Sequence, residues 1–515
     1  MASCKERAEQ LNEEGVSYTR SQAWEEALDC FSAAAAIDPE NPHWHRNCGL
    51  ALMRLNRYEE ALVPTDRALA LDPQYRDARQ GRVTILQRLG RWADVLAEWE
   101  KIPPGTELAE HYRFRGEVLV KLKRFDAALD SFTQALTIDP AYVPALVDRG
   151  NEWSARDRLD KAFTDLNRAI AIDPCHTPAY LSRSMAYKAQ LFLEAAKADL
   201  ELAIAINKDE ASAYWSKSHI LLMEWDFLNG WSLYSWRFSL GTTRELISCP
   251  LWTGAEDLSG KDVLLYTEQG YGDTFQFCRY TSLVKDLGAN VLLLGPEQTR
   301  DVVRTVDPRI RVESWIPLPA KFDYQSPLMS LPAAFKTTAI PARVPYLSAD
   351  PELVRLWAEK LGPQRRLRVG FAVAGNPDHN EDRRRSISLP VFAPLFGVEA
   401  DFYFFQLTVS PEERVRLAHH PNVQLQGQHL SDFSQTAALI ENLDLVIAVD
   451  TAVVHLAGAM GKPVWVLLSY CPDHRWLLGR TDSPWYPTAR LFRQPTLGDW
   501  GRVIDEVASA LRELS

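Results

Sequence analysis

The sequence predicts an α-solenoid followed by two parallel α/β halves, and three observations carry that reading. Small residues recur at Gly15, Gly49, Gly81, Gly116, Gly150, Ser184 and Ser218, in steps of 34, 32, 35, 34, 34 and 34. The recurrence stops after Gly241. Beyond it, short apolar runs alternate with amphipathic stretches, the pattern of buried strands joined by crossover helices. At 515 residues the chain exceeds a single core, and roughly 150 residues per domain suggests two to four domains.

A fixed period of this length marks stacked helix pairs. Counting from Gly116, the residues Ala128, Phe132, Ala135 and Pro140 follow at offsets that Ala27, Phe31, Ala34 and Pro39 repeat from Gly15. This is the tetratricopeptide (TPR) pattern. Its small residues let the two helices of a unit approach, aromatic residues such as Tyr58 and Phe125 fill the gap, and Ile/Leu-Asp-Pro ends the second helix. The stop recurs at Pro39, Pro73, Pro140 and Pro174. About seven helix pairs are expected over residues 1–240. The third unit departs from the pattern: Ala97 and Glu100 stand where an aromatic and a small residue are expected, and the exit is Ile102-Pro103-Pro104-Gly105. A local change of superhelical pitch is expected there. The last unit carries Trp215, Trp225, Trp231, Tyr234 and Trp236. A free solenoid end needs a polar cap, so this aromatic unit is expected to dock on the domain that follows.

After Gly241, Val263–Tyr266 and Val291–Leu294 read as strands flanking the loop Thr267–Asp273 and an amphipathic helix. A proline-rich passage from Pro317 to Pro345 precedes a second series that opens at Arg368–Gly375. Its further strands are Phe402–Gln406, Val423–Leu425, Leu445–Val449 and Val464–Leu468. Two Rossmann-like halves are expected, at 241–345 and 346–515. Ligands of such sheets sit beyond the carboxyl ends of the strands, so the loops after Tyr266, Val373, Val449 and Leu468 should converge on any site.

Composition narrows the function. Hydrophobic residues at 46% and charged residues at 24% are ordinary globular values. The net charge of −11 and the lack of a long Lys/Arg tract argue against a nucleic-acid binder. No apolar run approaches the roughly 18 residues of a membrane span, and no export segment is read at the N-terminus, so a cytoplasmic protein is expected. Seven scattered cysteines without a Cys-x-x-Cys pair suit reduced thiols better than disulfides or zinc. No metal-ligand cluster, Gly-x-Ser-x-Gly elbow, P-loop or Gly-x-Gly-x-x-Gly fingerprint appears, so no metal and no NAD is expected.

The motifs Glu268–Asp273, Ala374-Gly375-Asn376-Pro377, Arg383–Ser388, Asp450–Gly458 and Ser483-Pro484-Trp485-Tyr486-Pro487 occur in that order after the repeats. In this order the chain resembles bacterial TPR–glycosyltransferase fusions, whose C-terminal half is similar to the heptosyltransferase-type enzymes of glycosyltransferase family 9. The resemblance implies a GT-B fold, two Rossmann-like domains facing a cleft, with the acceptor side at 241–345 and the nucleotide-sugar side at 346–515. It implies an inverting, metal-independent transfer from a nucleotide-sugar donor with no cofactor; the TPR fold itself makes a protein acceptor, recruited on the concave face of the array, the expectation, with a carbohydrate or lipid-linked acceptor and repeats serving only for assembly as the second enzymatic possibility.

By that resemblance Asp273 matches the general base. A carboxylate ending a glycine-rich turn can take the proton of an incoming hydroxyl, although an aspartate there can also simply cap the helix. Glu268 is the second candidate base. The donor side takes in Gly375, Asn376, Arg384, Arg385, Asp450, Thr451 and His455. The helix opened by Thr451 offers free backbone N–H groups to a diphosphate oxygen. Asp450 is expected to face sugar hydroxyls, His455 either reaches a phosphate or is a core histidine, and Lys462 is a surface residue or a further cation. Of the three arginines at 383–385 one or two should point inward, Arg385 first, because a bidentate guanidinium suits a diphosphate. The rival from another class is a non-catalytic TPR scaffold with a degenerate sugar-nucleotide module. The sequence leaves nucleotide, sugar, acceptor and oligomeric state open.

Overall fold

The computed structural model describes residues 4–99, 101, 108–241, 246–317, 320–341, 343–379 and 381–514. The chain forms two compact units, Met1–Ser182 and Arg183–Ser515.

In the first unit the helices pair as the period requires: Cys4–Arg20 with Trp24–Ile37, Pro42–Arg54 with Tyr58–Leu71, Arg76–Arg88 with Trp92–Trp99, Ala109–Lys121 with Phe125–Ile138, and Val143–Ala155 with Leu159–Ile172. The small residue of each first helix meets the residue sixteen positions later on the second. A Cβ at Gly15 would come within 2.5 Å of the Phe31 ring, and one at Gly116 would collide with Phe132 in the same way. The third unit is the exception. Gly81 has nothing within 4 Å of where its Cβ would point, because Ala97 replaces the ring. Glu100 and the exit Ile102–Gly105 lie outside the described residues.

Each pair turns through one residue with positive φ, at Gln22, Asn56, Gly90, Lys123 and Asp157. Only one of these is glycine; Asn56 and Asp157 tolerate this conformation, whereas at Gln22 and Lys123 the helix packing on either side imposes it on residues that do not favour it. The Asp-Pro stop has its own logic: Asp72, Asp139 and Asp173 each end a helix and accept a hydrogen bond from the backbone N–H two residues on, spanning a proline that has no N–H to offer.

The second unit takes in the end of the helix Thr177–Ala189, the helices Leu193–Ile206, Ala211–Met223 and Phe227–Tyr234, and a 3₁₀ turn over Ser235–Leu240. Their pairs turn at Leu191 and Trp225, again with positive φ. Two parallel sheets follow. The first orders as β3 (Arg311–Glu313), β2 (Asn290–Leu294), β1 (Asp262–Tyr266), β4 (Tyr324–Pro327). The second orders as β10 (Ala489–Arg493), β9 (Val464–Leu468), β8 (Leu445–Val449), β5 (Leu367–Ala372), β6 (Ala400–Phe404), β7 (Val423–Leu425). The six-stranded order is that of a dinucleotide-type sheet, and the four-stranded one is its truncated counterpart. All strands run parallel, and the order in which successive strands are added switches sides between β5 and β8 in one sheet and between β1 and β4 in the other, where the loops splay to leave crevices.

Strands β3, β4 and β10 were not expected from the sequence. In β4, Gln325 and Ser326 are fully buried. Gln325 Nε2 donates to the carbonyls of Ile247 and Cys249 at 2.7 and 2.8 Å, so this polar side chain ties the passage after the last repeat to the sheet edge. One hydrophobic core joins Phe227, Trp231 and Tyr234 of the last helix pair, the first sheet, and one face of the second sheet. The opposite face of the second sheet has its own core under the helix Trp500–Arg512. The Trp231 ring meets Phe277 at 5.6 Å, and Trp236 stacks on Tyr214 at 4.3 Å.

Candidate functional site

Glu268 follows β1 at the reversal of the first sheet. Both of its carboxylate oxygens accept from Arg237, at 2.9 and 2.7 Å, and Arg237 also donates to Ser330 at 2.7 Å. The pair is almost wholly buried, with side chains 1% and 2% exposed. A hydroxyl could reach Glu268 only by displacing the guanidinium, so this carboxylate fastens the last repeat to the loops after β1 and β4. A groove of about 530 Å³ opens beside it, lined among others by Trp231, Phe238, Trp252, Ser326 and Met329.

Asp273 lies one turn into the helix Tyr271–Phe277. Its Oδ2 accepts from the Gly270 N–H at 2.9 Å, the capping contact that residue type predicts, while Oδ1 pairs with Arg475 on the loop after β9. Burial pushes the Asp273 carboxyl above its ordinary value, against the pull of Arg475 and His455. Gly272 is required by close approach: a Cβ there would come within 2.7 Å of His455 Cδ2, on the helix Ala452–Ala459 after β8.

At the reversal of the second sheet, Arg385 Nη1 donates to the Asp450 carbonyl at 3.1 Å and Nε to Asp382 at 3.1 Å. A side chain at Gly375 would collide with the Arg385 guanidinium, so that glycine makes room for it. Arg384 pairs with Glu381 at 3.2 Å, and Arg383 is exposed. Asn376 is exposed and its side chain accepts from the Asp378 N–H, closing its own turn. Thr451 is the residue preceding the helix Ala452–Ala459, and its side chain makes no capping bond.

His455 is buried with both ring nitrogens engaged. Nε2 faces Asp450 Oδ1 at 3.3 Å and Nδ1 meets the Tyr486 hydroxyl at 2.9 Å. The ring also stacks on Trp476 at 5.4 Å. Burial would push the Asp450 carboxyl up, but the His455 contact holds it below its ordinary value. Lys462 donates to Glu441, away from these groups.

The sequence reading missed Asp473 and Arg475. Arg475 Nη1 pairs with Asp473 at 3.0 Å, and Asp473 caps the short turn His474–Trp476 by accepting from the Arg475 N–H at 3.0 Å. Burial would push Asp473 up, but Arg475 holds it well below the usual carboxylate range. The signal available was a charged Asp-His-Arg segment on the loop after a predicted strand. Its partner Asp273 is 202 residues away, so no local pattern reveals the pair. Arg279 was missed too. Buried, it donates to the carbonyls of Trp485 and Pro341 and to the Tyr346 hydroxyl, and so joins the two halves. The Ser483–Pro487 motif is thus a packing element, with Trp485 and Tyr486 buried.

Residues 411–495 match the glycosyltransferase family 9 (heptosyltransferase) model, and residues 12–101 and 112–142 match tetratricopeptide repeat models. Over 321 residues the chain is 30% identical to Protein FlbA of Caulobacter vibrioides, covering 56% of this chain and 52% of that protein. The chain thus spans about half the length of this curated relative. Among solved structures, a tetratricopeptide repeat protein of Parabacteroides merdae is 20% identical with a TM-score of 0.41, covering 46% of this chain and 94% of that one. The TPR protein YrrB is 26% identical with a TM-score of 0.29, covering 36% and 97%. Among the described residues no helix is long and apolar enough to cross a membrane. The chain carries tetratricopeptide repeats in its N-terminal half and a glycosyltransferase family 9 domain towards its C-terminus.

Proposed function

We propose that the α/β part is an inverting, metal-independent glycosyltransferase that moves a sugar from a nucleotide donor to a serine or threonine hydroxyl of a protein recruited by the concave face of the repeats. The observation that carries this reading is Asp273: a buried carboxylate with raised basicity that faces, through Arg475 and His455, the loop bearing Asp450. A general base is most effective when its pKa is lifted towards the working pH. The same residue also makes the capping bond to Gly270, so the two roles coexist in one side chain. Glu268, neutralised by Arg237, is not assigned a proton-transfer role.

In this reading the donor lies at the reversal of the six-stranded sheet. Gly375 and Arg385 border its diphosphate, Thr451 and the backbone N–H groups after it meet a phosphate oxygen, and Asp450, oriented by His455, addresses the sugar hydroxyls. Arg384 and Asn376 stand further out on the same loop. The groove beside Trp231 and Ser326 is the place offered to the acceptor chain.

The test is a thermal-shift panel of UDP-, GDP-, ADP-, TDP- and CMP-linked sugars on the full chain. A donor at 100 times its Kd stabilises by about 2.7 kcal/mol, and Asp450→Ala and Arg385→Ala should abolish that shift while still folding. Should both variants respond as the wild type does, the donor site is elsewhere. A bound donor with no transfer to any protein would favour a non-catalytic scaffold.

A further inference from the structure

The charges around Asp273 do not balance locally. Arg475 lies between Asp273 and Asp473, with one Nη on each, and the next residue, Trp476, stacks on the His455 ring that faces Asp450. Three carboxylates thus crowd one guanidinium. Even so, Arg475 Nε is buried with no acceptor. A buried donor without a partner is costly, and a guanidinium presents its N–H groups as a planar fork that matches phosphate oxygens. Arg385 is in a different position: its Nε and Nη1 are committed to Asp382 and to the Asp450 carbonyl, which fixes the loop.

We propose that Arg475 is the counter-ion shared by the base and the leaving group, pairing with Asp273 while that carboxylate is ionised and with the departing diphosphate once the proton has moved. This rests on the reading of Asp273 as base and of the Asp450 loop as the donor border. The acceptor oxygen forms a bond to the anomeric carbon, and the bond from that carbon to the diphosphate oxygen breaks with its electron pair going to the diphosphate. The hydroxyl proton passes to Asp273. One negative charge therefore leaves Asp273 as one appears on the diphosphate. A single guanidinium with one Nη on Asp273 and an unspent Nε–H accompanies that charge without itself gaining or losing a proton.

Inorganic pyrophosphate, titrated calorimetrically into the full chain, probes this directly. Arg475→Gln should weaken pyrophosphate binding at least tenfold, and Arg475→Lys, which keeps charge but loses the fork, should recover part of it. Asp273→Asn should tighten it at least threefold, because the competing carboxylate is gone; a purely structural pair predicts no such gain. Arg475→Gln binding within twofold of wild type overturns the proposal, as does Asp273→Asn weakening binding in step with Arg475→Gln. If Arg475→Gln does not fold, the opposite signs expected of Arg475→Lys and Asp273→Asn decide the matter. A wild-type chain that ignores pyrophosphate yet is stabilised by a nucleotide sugar overturns the proposal alone, whereas one that responds to neither overturns the donor-site reading beneath it.

Discussion

In the first unit, two charges that enter the interior find a partner sixteen residues away on the facing helix: Arg149 holds buried Asp165 through two bonds of 2.8 Å, and Arg82 holds buried Glu98 at 2.6 Å. In the second unit, Arg475 pairs with Asp273 on the helix after β1 and with Asp473 on its own loop and feels the charge of Asp450, while Arg475 Nε and Trp476 Nε1 are left without hydrogen-bond partners. Among the described residues of the first unit, Trp44 Nε1 alone is in that condition. The repeats of the first unit satisfy nearly every buried polar group because one local solution is copied. On the proposed reading, the cluster assembled from distant segments keeps unsatisfied groups where a ligand would be held.

The comparison is tested most severely by two carboxylates five residues apart. Glu268→Gln leaves Arg237 buried without a counter-charge, so it should destabilise the fold by about 3–5 kcal/mol, read by urea unfolding. Asp273→Asn should leave the melting temperature nearly unchanged and lower turnover about 10²–10⁴-fold. A turnover loss below about threefold makes Asp273 a cap only, and a stable Glu268→Gln protein breaks the division between fastening and chemistry.

Acid should separate the units next. Burial pushes His219 down to about 4 and His474 down to about 3 in the second unit. In the unfolded chain each titrates near 6.5, so below that value the unfolded state binds more protons and stability falls with pH. The contribution is complete above about pH 6.5 and is lost at about 1.4 kcal/mol per pH unit per histidine on the way down towards their folded values. Chemical unfolding between about pH 7 and pH 4.5, followed by tryptophan fluorescence, should show a slope that His219→Gln reduces. An unchanged slope would mean that these rings are wet rather than desolvated.

The smallest effect lies within the repeats. Gly116→Ala drives a methyl into Phe132 and should cost about 1–3 kcal/mol, whereas Gly81→Ala meets no atom and should gain about 0.5–1 kcal/mol from better helix propensity. Thermal melts of the two variants should therefore move in opposite directions. If both fall, the third unit is packed more tightly than the missing ring implies.

The repeats were legible because each contact is local and recurs: a glycine and the ring sixteen residues on report each other. The long apolar strands β1, β2, β8 and β9 were legible for the same reason. Strand β4 was not, because its inward residues are Gln325 and Ser326, which the interior accepts only since backbone carbonyls of another segment receive Gln325. The loops that follow the strands could be located from the strand ends, and with them the places of Asp273, Gly375, Arg385 and Asp450 in the fold. What each side chain does there depends on partners the sequence does not place beside it. Glu268 looked like a base until Arg237, from the last repeat, neutralised it, and Arg475 went unread because its acid is on the other half.

Arg279 gives the molecule a mechanical property. Its guanidinium belongs to the helix Arg279–Asp286, yet it donates twice to the Trp485 carbonyl and sits over the rings of Tyr346, Trp485 and Tyr486. Swinging the two halves apart would strand a buried cation and wet an indole at the same time. The contact thus opposes such a motion, and on the proposed reading substrates would enter through the loops at the strand ends.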